Sequence, residues 1–200
     1  NVGRGYMVGT MLCLGGGARR FATMSNSTNA GFEDAATRMG YTPIPGGPAT
    51  PDEMMSANPM FNPNRPGGVA RRAAFQARWQ QMAERAGIPG QTAHQDGYNT
   101  PGTCAAAKLL ARSGHKPLTI TEFFWARPGK SWSASYTVFS RNTTPPHVAT
   151  WRALLLQQRH DVTEAQQRPY TSGRESVASC HTCQRILFML LCTKNDRKCC

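Results

Sequence analysis

The feature that most constrains the fold is a Cys-x-x-Cys pair, Cys180 and Cys183, placed directly before an apolar segment, residues 184–192. Residues three apart at the start of a helix share one face, so both thiols can bind the same metal ion. The free N–H groups of a first helical turn also favour thiolate over thiol. The apolar segment is too short to span a membrane, which takes about 20 residues. We therefore expect a buried helix that begins at a two-cysteine metal site.

A third candidate ligand, Cys104, lies at the start of another predicted helix. The Pro101-Gly102 break precedes it, Thr103 is a suitable N-cap, and an Ala/Lys/Leu run with high helix propensity follows. Two helix N-termini with three thiolates would enclose one zinc ion and leave a fourth position for water. An open position of this kind is typical of catalytic rather than structural zinc.

Two histidines compete with these cysteines as ligands. His181 lies between Cys180 and Cys183, but a residue at i+1 points away from the face that i and i+3 share. His94 lies in the predicted loop that precedes the Cys104 helix. We favour the three cysteines, because Cys104 and Cys183 have the better placements.

The two motifs resemble those of the zinc-dependent nucleobase deaminases, H-x-E followed by P-C-x-x-C, with a three-cysteine variant. The first motif corresponds to residues 104–106 (Cys-Ala-Ala) and the second to residues 179–183 (Ser-Cys-His-Thr-Cys). The chain most closely resembles the deaminase domains at the C-termini of bacterial polymorphic toxins, several of which use cysteine in place of the first histidine. Serine replaces the proline before Cys180, a proline that shapes the turn and binds nothing.

Ala106 departs from the family pattern, because it stands where the family has its catalytic glutamate. That glutamate carries protons between the attacking water and the ring nitrogen and amino group of the base. Alanine cannot do this, so we expect the chain as written to be nearly inactive. We interpret Ala106 as an engineered Glu→Ala change in a toxic enzyme; a natural non-catalytic relative is the alternative.

The resemblance implies an α/β fold, a cytidine-deaminase-like three-layer α/β/α sandwich around a mixed sheet of about five strands. We expect one deaminase-like domain over residues 1–200, with a β-hairpin in 1–26, an insertion in 27–100 and the zinc-site core in 101–200. The hairpin is predicted from two apolar runs on either side of three glycines, 15–17.

Within the insertion, the sequence predicts one regular helix and one stretch without regular secondary structure. Helical spacing of apolar residues predicts a helix over 69–86, ended by Gly87 and Pro89. The proline-rich stretch 41–68 is predicted to be loop or linker without regular elements.

By resemblance, four residues are expected to contact the substrate. Ser25 and Asn26 end the hairpin, while Phe124 and Trp125 lie in an aromatic strand predicted over 119–127. The resemblance makes this strand central in the sheet. A polar loop exit or a helix cap explains Ser25 and Asn26 equally well, and each aromatic residue alone is more typical of a core.

The net charge of +12, from 23 basic and 11 acidic residues, favours polyanionic partners. With the resemblance, it predicts cytosine in single-stranded DNA or RNA as substrate and an acidic immunity protein as partner. Adenine, or a free nucleoside or nucleotide, is the alternative substrate. The chain starts at Asn1 without a signal-like segment and has no stretch of membrane-span length. We expect part of a larger secreted effector that acts in the target-cell cytoplasm during competition between bacteria.

Two other functions remain open. A non-catalytic, zinc-stabilised basic module that binds nucleic acid or a protein partner would explain Ala106 without engineering. A disulfide framework in an extracellular domain would use the seven cysteines differently. Cys13 is expected to be a small buried residue of a strand. The sequence assigns no role to Cys192, Cys199 and Cys200.

Overall fold

The computed structural model describes residues 6–14, 18–87, 99–115, 117–125, 132–136, 166–170 and 180–191, which form a mixed α/β structure. The strands are β1 (Tyr6–Leu14), β2 (Ala18–Met24), β3 (Thr42–Pro43), β4 (Thr119–Trp125), β5 (Trp132–Tyr136) and β6 (Gln166–Tyr170). The helices are α1 (Ala30–Arg38), α2 (Pro51–Ser56), α3 (Gly68–Ala86), α4 (Ala105–Arg112) and α5 (His181–Leu191), with a 3₁₀ helix at Pro59–Phe61.

Four strands form one mixed sheet in the order β3-β2-β1-β4. β1 and β2 make the predicted antiparallel hairpin, with Met11 opposite Phe21. β1 also pairs antiparallel with β4, where Met11 faces Ile120, and β3 adds to β2 in parallel. Met11 and Phe21 are buried in one cluster with Leu109 of α4. This face of the sheet therefore carries α4.

β4 forms where the aromatic run predicts a strand, but the prediction that it is central is wrong for the sheet that the structure describes. Among the described strands, β4 pairs with β1 alone and ends the sheet. β1 has two antiparallel partners instead, because its own hairpin takes one edge and β4 takes the other. β5 and β6 form a separate antiparallel pair, with Trp132 opposite Tyr170.

α4 approaches the sheet closely at Gly9 of β1. A Cβ added at Gly9 would lie 2.6 Å from the Cβ of Ala105, nearer than two such atoms come in proteins. The small residues on both sides therefore allow the first turn of α4 to rest on β1. This contact brings Cys104, the residue before the helix, close to the sheet.

The predicted insertion contributes much of the main core. α3, at Gly68–Ala86, confirms the helix expected over 69–86. The buried residues of this core are Ala49, Met54, Met55, Phe61, Phe75, Met82, Ala106, Ala107, Cys183, Ile186, Leu187 and Leu190. Each large apolar side chain among them contributes about 1.5–3 kcal/mol by burial. Residues 49–82 thus support the two helices whose N-termini carry the candidate ligands.

The prediction of loop or linker for residues 41–68 is wrong for several parts of that stretch, which contain β3, α2 and the 3₁₀ helix. α2 begins with a capping box, in which Thr50 Oγ1 accepts from the Glu53 N–H and the Glu53 carboxylate accepts from the Thr50 N–H. Pro51 follows the cap, and Pro59 likewise begins the 3₁₀ helix. A proline at the first helical position loses no helical hydrogen bond and favours a helix start.

Arg112, at the end of α4, holds the loop formed by residues 45–48. Its guanidinium donates to the carbonyl oxygens of all four loop residues. It also pairs bidentately with Glu53, with Nε–Oε1 at 3.0 Å and Nη2–Oε2 at 3.1 Å. The hydrogen bond from Arg112 is the main cause that keeps the pKa of Glu53 below its usual value.

α5 confirms the buried helix predicted from the apolar segment. It has 11 residues and buries Ile186, Leu187 and Leu190. Of the helices in the described ranges, none has the length and hydropathy needed to cross a membrane.

Candidate metal centre

Cys104 is the N-cap residue of α4, with extended backbone angles, φ −72° and ψ 150°. Thr103, the predicted N-cap, lies one residue earlier and donates its hydroxyl to the Thr100 carbonyl at 2.7 Å. In the described structure, the Cys104 side chain makes no capping hydrogen bond to α4. Its sulfur instead lies 3.4 Å from the Sγ of Cys180.

Cys180 lies directly before α5 and Cys183 in its first turn. The Cys183 N–H points at the Cys180 sulfur across 3.5 Å, as N–H groups of a first turn point at an N-cap acceptor. Two helix N-termini therefore supply the three thiols, as the spacing of the motifs predicts. The partial positive charge at each N-terminus favours anionic sulfur.

The three sulfurs are close enough to bind one metal ion. The Sγ atoms of Cys104, Cys180 and Cys183 all lie within 4.8 Å of one another. Zinc–sulfur bonds of about 2.3 Å in tetrahedral geometry require sulfurs about 3.8 Å apart, a value between 3.4 and 4.8 Å. The donor set and its spacing thus fit zinc. Within the described residues, the cluster holds these three groups and no fourth histidine, cysteine or carboxylate.

Charge is shared unequally among the three sulfurs. Hydrogen bonding from Cys104, and then from Cys183, holds the pKa of Cys180 well below its usual value. Hydrogen bonding to Cys180 is the largest cause that raises the pKa of Cys104, and hydrogen bonding to Cys104 is the largest that raises the pKa of Cys183. The protein alone therefore stabilises one thiolate with two thiols, and a bound divalent cation favours thiolate at all three.

Thr182, between the two motif cysteines, ties α5 to the segment that leads to Cys104. Its buried hydroxyl donates to the Asn99 carbonyl at 2.6 Å and accepts from the Asn99 N–H at 3.0 Å. The Asn99 side chain also hydrogen-bonds to Cys180, which lowers the pKa of that thiol further. This network fixes one motif against the other.

Glu122 of β4 lies beneath the first turn of α4. Its Oε1 accepts a hydrogen bond from the Ala106 N–H at 3.0 Å, and the residue is only 7 % exposed. Burial raises the pKa of this carboxyl from 4.5 to about 7, the Ala106 hydrogen bond opposes the rise, and the charge of Cys180 adds to it. Sequence reasoning passed over Glu122. The available signal was an acidic residue inside an aromatic strand, where an ionisable group is unusual.

Lys108, one turn after Cys104, joins α4 to the end of β2. Its buried ammonium donates to the carbonyl oxygens of Met24 and Asn26. Burial is the main cause that lowers the pKa of Lys108 to about 8. The Asn26 N–H donates in turn to the Thr103 carbonyl at 2.9 Å. The hairpin end therefore lies beside the loop that carries Cys104.

Ser25 and Asn26, expected to contact the substrate, lie at this edge of the site. The Ser25 hydroxyl accepts from the Met7 N–H at 3.0 Å and so closes the hairpin end. The Asn26 side chain is exposed, and its backbone is left-handed with φ 59°, which asparagine tolerates. Asn26 thus lies beside Thr103, the residue before Cys104, and Ser25 closes the hairpin next to it; neither belongs to the thiol cluster.

The other candidate residues fall where side chains are not described. Phe124 and Trp125 belong to β4 and His181 to α5, but the side chains of all three lie outside the described part of the structure. His94 lies outside the described residues altogether.

The four described cysteines, Cys13, Cys104, Cys180 and Cys183, form no disulfide bond within the described residues. Cys13 is buried in β1, as predicted. Cys192, Cys199 and Cys200 lie outside the described residues. None of the four described cysteines supports the disulfide-framework interpretation.

Comparisons with protein-family models, with curated proteins and with solved structures found no match to this chain. The functional interpretation therefore depends on the residues of the site. Three features define that site: convergent thiols at two helix N-termini, a buried carboxylate beneath one of them, and a hairpin end at its edge.

Proposed function

We propose that this chain is a zinc-dependent nucleobase deaminase with a cytidine-deaminase-like α/β/α fold, the C-terminal toxin domain of a secreted bacterial effector. The observation that carries the proposal is the meeting of Cys104, Cys180 and Cys183 within 4.8 Å at two helix N-termini. The motifs occur in the family's order, Cys-Ala-x before Cys-x-x-Cys. The four-stranded mixed sheet under α4 is compatible with the fold.

Cys104, Cys180 and Cys183 would hold the zinc ion. When bound with an open coordination position, zinc lowers the pKa of a water molecule to about 7 and so supplies a nucleophile near neutral pH. The three thiols would supply three of the four positions that zinc commonly has in proteins.

The side on which a base would enter follows from the burial of the three cysteines. Cys183 is 2 % exposed and faces the core, whereas Cys104 and Cys180 are half-buried. A base therefore approaches over Cys104 and Cys180, with Ser25 and Asn26 at the rim. There the two residues orient the base or its sugar, while Lys108 holds the rim in place through backbone carbonyls.

The proposed substrate is cytosine in single-stranded DNA or RNA, converted to uracil. A charge of +12 suits a polyanion, and a deaminase needs its base unstacked, which a single strand provides at low cost. One of the two aromatic residues Phe124 and Trp125 is proposed to stack on the base, because neighbours in a strand belong to opposite faces of the sheet; such stacking is typically worth about 1–3 kcal/mol. An acidic immunity protein, suited to the net charge of +12, would cover the site in the producing cell, and the toxin acts in the target-cell cytoplasm.

A second candidate is a non-catalytic, zinc-stabilised module that binds nucleic acid or a protein partner. Ala106 favours it, because the methyl side chain at this position cannot transfer protons. This candidate predicts zinc binding and nucleic-acid or protein binding without conversion of any base.

The test compares the unchanged chain with the A106E variant, both loaded with zinc. Each is incubated with cytosine-containing single-stranded DNA and RNA, with adenine-containing strands and with free nucleosides and nucleotides, and the products are sequenced or separated. We expect cytosine to become uracil in a strand, and the conversion to disappear in C104S versions. C13S is the matched control, since Cys13 is buried in β1 and does not belong to the thiol cluster. Zinc-loaded forms that convert none of these substrates would overturn the proposal.

A further inference from the structure

A buried carboxylate lies beside the position where the deaminase pattern has its glutamate. Glu122 comes from β4, and its Oε1 accepts from the backbone N–H of Ala106 at 3.0 Å. The strand register pairs Glu122 with Gly9, so both residues belong to the face of the sheet that carries α4. Because Gly9 has no side chain, the first turn of α4 can rest on β1 beside Glu122, where the carboxylate reaches the Ala106 N–H.

We propose that Glu122 supplies, from the neighbouring strand, the carboxylate that position 106 lacks. This inference rests on the proposed deaminase function. It changes one expectation of the sequence, because the chain as written is then an active enzyme rather than an inactivated one.

The chemistry assigned to Glu122 is proton transfer at its carboxylate oxygens. As the oxygen of water bonds to the amino-bearing ring carbon, the carboxylate takes a proton from that water and gives it to the adjacent ring nitrogen. It then takes the remaining hydroxyl proton and gives it to the amino group. The carbon–nitrogen bond breaks, ammonia leaves, and a carbonyl remains on the ring. The carboxylate ends in its starting state, so the reaction consumes one water and no other reactant.

The surroundings of Glu122 favour this role over helix capping alone. Capping normally falls to the N-cap side chain, but here the Cys104 sulfur contacts Cys180, and Glu122 binds the N–H of the second helical residue instead. A neutral amide could accept that bond without the cost of burying an ionisable group. The carboxyl is 7 % exposed, and its pKa near 7 suits proton transfer close to neutral pH.

The experiment uses four zinc-loaded proteins: the unchanged chain, E122Q, A106E and A106E/E122Q. Glutamine keeps the oxygen that accepts the Ala106 N–H, so zinc content and thermal stability should stay close to those of the unchanged chain. We expect the unchanged chain to deaminate cytosine and E122Q to be slower by about 100-fold or more, as for loss of a proton-transferring group. E84Q is the matched control, because Glu84 is exposed on α3 and should leave the rate unchanged.

Two results would overturn the role of Glu122 while leaving the deaminase function standing. One is E122Q with the rate of the unchanged chain, which would reduce Glu122 to a cap. The other is activity in A106E with none in the unchanged chain, which would show that position 106 needs its own carboxylate. If E122Q fails to fold, the comparison of A106E with the unchanged chain still tests the role of Glu122. Absence of conversion in all four proteins would instead overturn the deaminase function itself.

Discussion

The Sγ atoms of Cys104 and Cys180 lie 3.4 Å apart, although 76 positions separate the two residues in the chain. Each residue directly precedes a helix, Cys104 before α4 and Cys180 before α5. The two helices share one core with Met54 and Met55 of α2 and Phe75 and Met82 of α3. The distance between the two thiols therefore depends on how this core packs α4 against α5.

Removal of any one thiol should disable metal binding. We expect one zinc per unchanged chain, and C104S, C180S and C183S to bind zinc more than about 100-fold more weakly. Losing a hydrogen bond to a metal ligand typically lowers metal affinity by roughly 10–100-fold, and the loss here should be larger because the ligand itself is removed. Competition with a coloured chelator measures it. C13S should bind like the unchanged chain, and equal affinities in C13S and C104S would contradict the site.

Thr182 should matter for zinc affinity although its side chain is not a ligand. T182V keeps the shape of the residue but leaves the N–H and carbonyl of Asn99 without their partner. We expect zinc binding to weaken by about 10–100-fold. T182S retains the hydroxyl and should bind nearly as the unchanged chain does. If T182V and T182S bind zinc equally well, the proposed link between the two motifs is wrong.

Gly9 should tolerate no side chain. In G9A, the new Cβ would lie 2.6 Å from that of Ala105, so α4 must shift. We expect a loss of about 1–3 kcal/mol in the free energy of unfolding, as for overpacking, together with weaker zinc binding. G31A is the matched control, because an added Cβ there meets its nearest atom at 3.4 Å within α1. Urea denaturation decides, and G9A as stable as G31A would contradict the close approach of α4.

The sequence predicts the three cysteines of the candidate metal site better than it predicts the elements that pack around them. Cys180 and Cys183 are recognisable as candidate ligands because two cysteines three residues apart before an apolar run are typical of a metal site. Cys104 is recognisable because it lies at the start of a predicted helix. The sequence does not predict the helices at Pro51 and Pro59, because a high density of prolines is typical of loops, whereas each of these prolines occupies a first helical position. Glu122 was missed for another reason: strand register decides which charge meets α4, and register is a property of the paired strands.

Arg112 should be hard to replace even by lysine. Its planar guanidinium reaches the carbonyls of residues 45–48 and pairs with Glu53, whereas an ammonium has neither the donors nor the fork geometry. We expect R112K to lose about 1–3 kcal/mol of unfolding free energy. R72K is the comparison, since Arg72 makes a 3.6 Å ion pair with the exposed Asp52 and should change stability by less than about 0.5 kcal/mol. Equal effects in urea denaturation would contradict the role of Arg112.

Glu122 should make the metal-free protein less stable as pH rises. The pKa of its carboxyl is about 7 in the folded protein against 4.5 ordinarily, so between these values the folded state holds the proton and the unfolded state does not. The free energy of unfolding is therefore highest, as far as this group is concerned, below about pH 4.5. It falls by about 3 kcal/mol as the pH rises to 7 and above. Urea denaturation in chelator across this range should show the fall in the unchanged chain and lose it in E122Q. Identical pH dependence of the two proteins would contradict the buried position of this carboxyl.

X-ray absorption at the zinc edge of the zinc-loaded chain tests most directly whether Cys104, Cys180 and Cys183 hold one ion with an open position. We expect three sulfur neighbours at about 2.3 Å and one oxygen neighbour at about 2.0–2.2 Å. In C183S, one sulfur should be lost, and in C13S none. Four sulfur neighbours in the unchanged chain would mean a closed structural site, and two or fewer would mean that the three thiols do not share the metal.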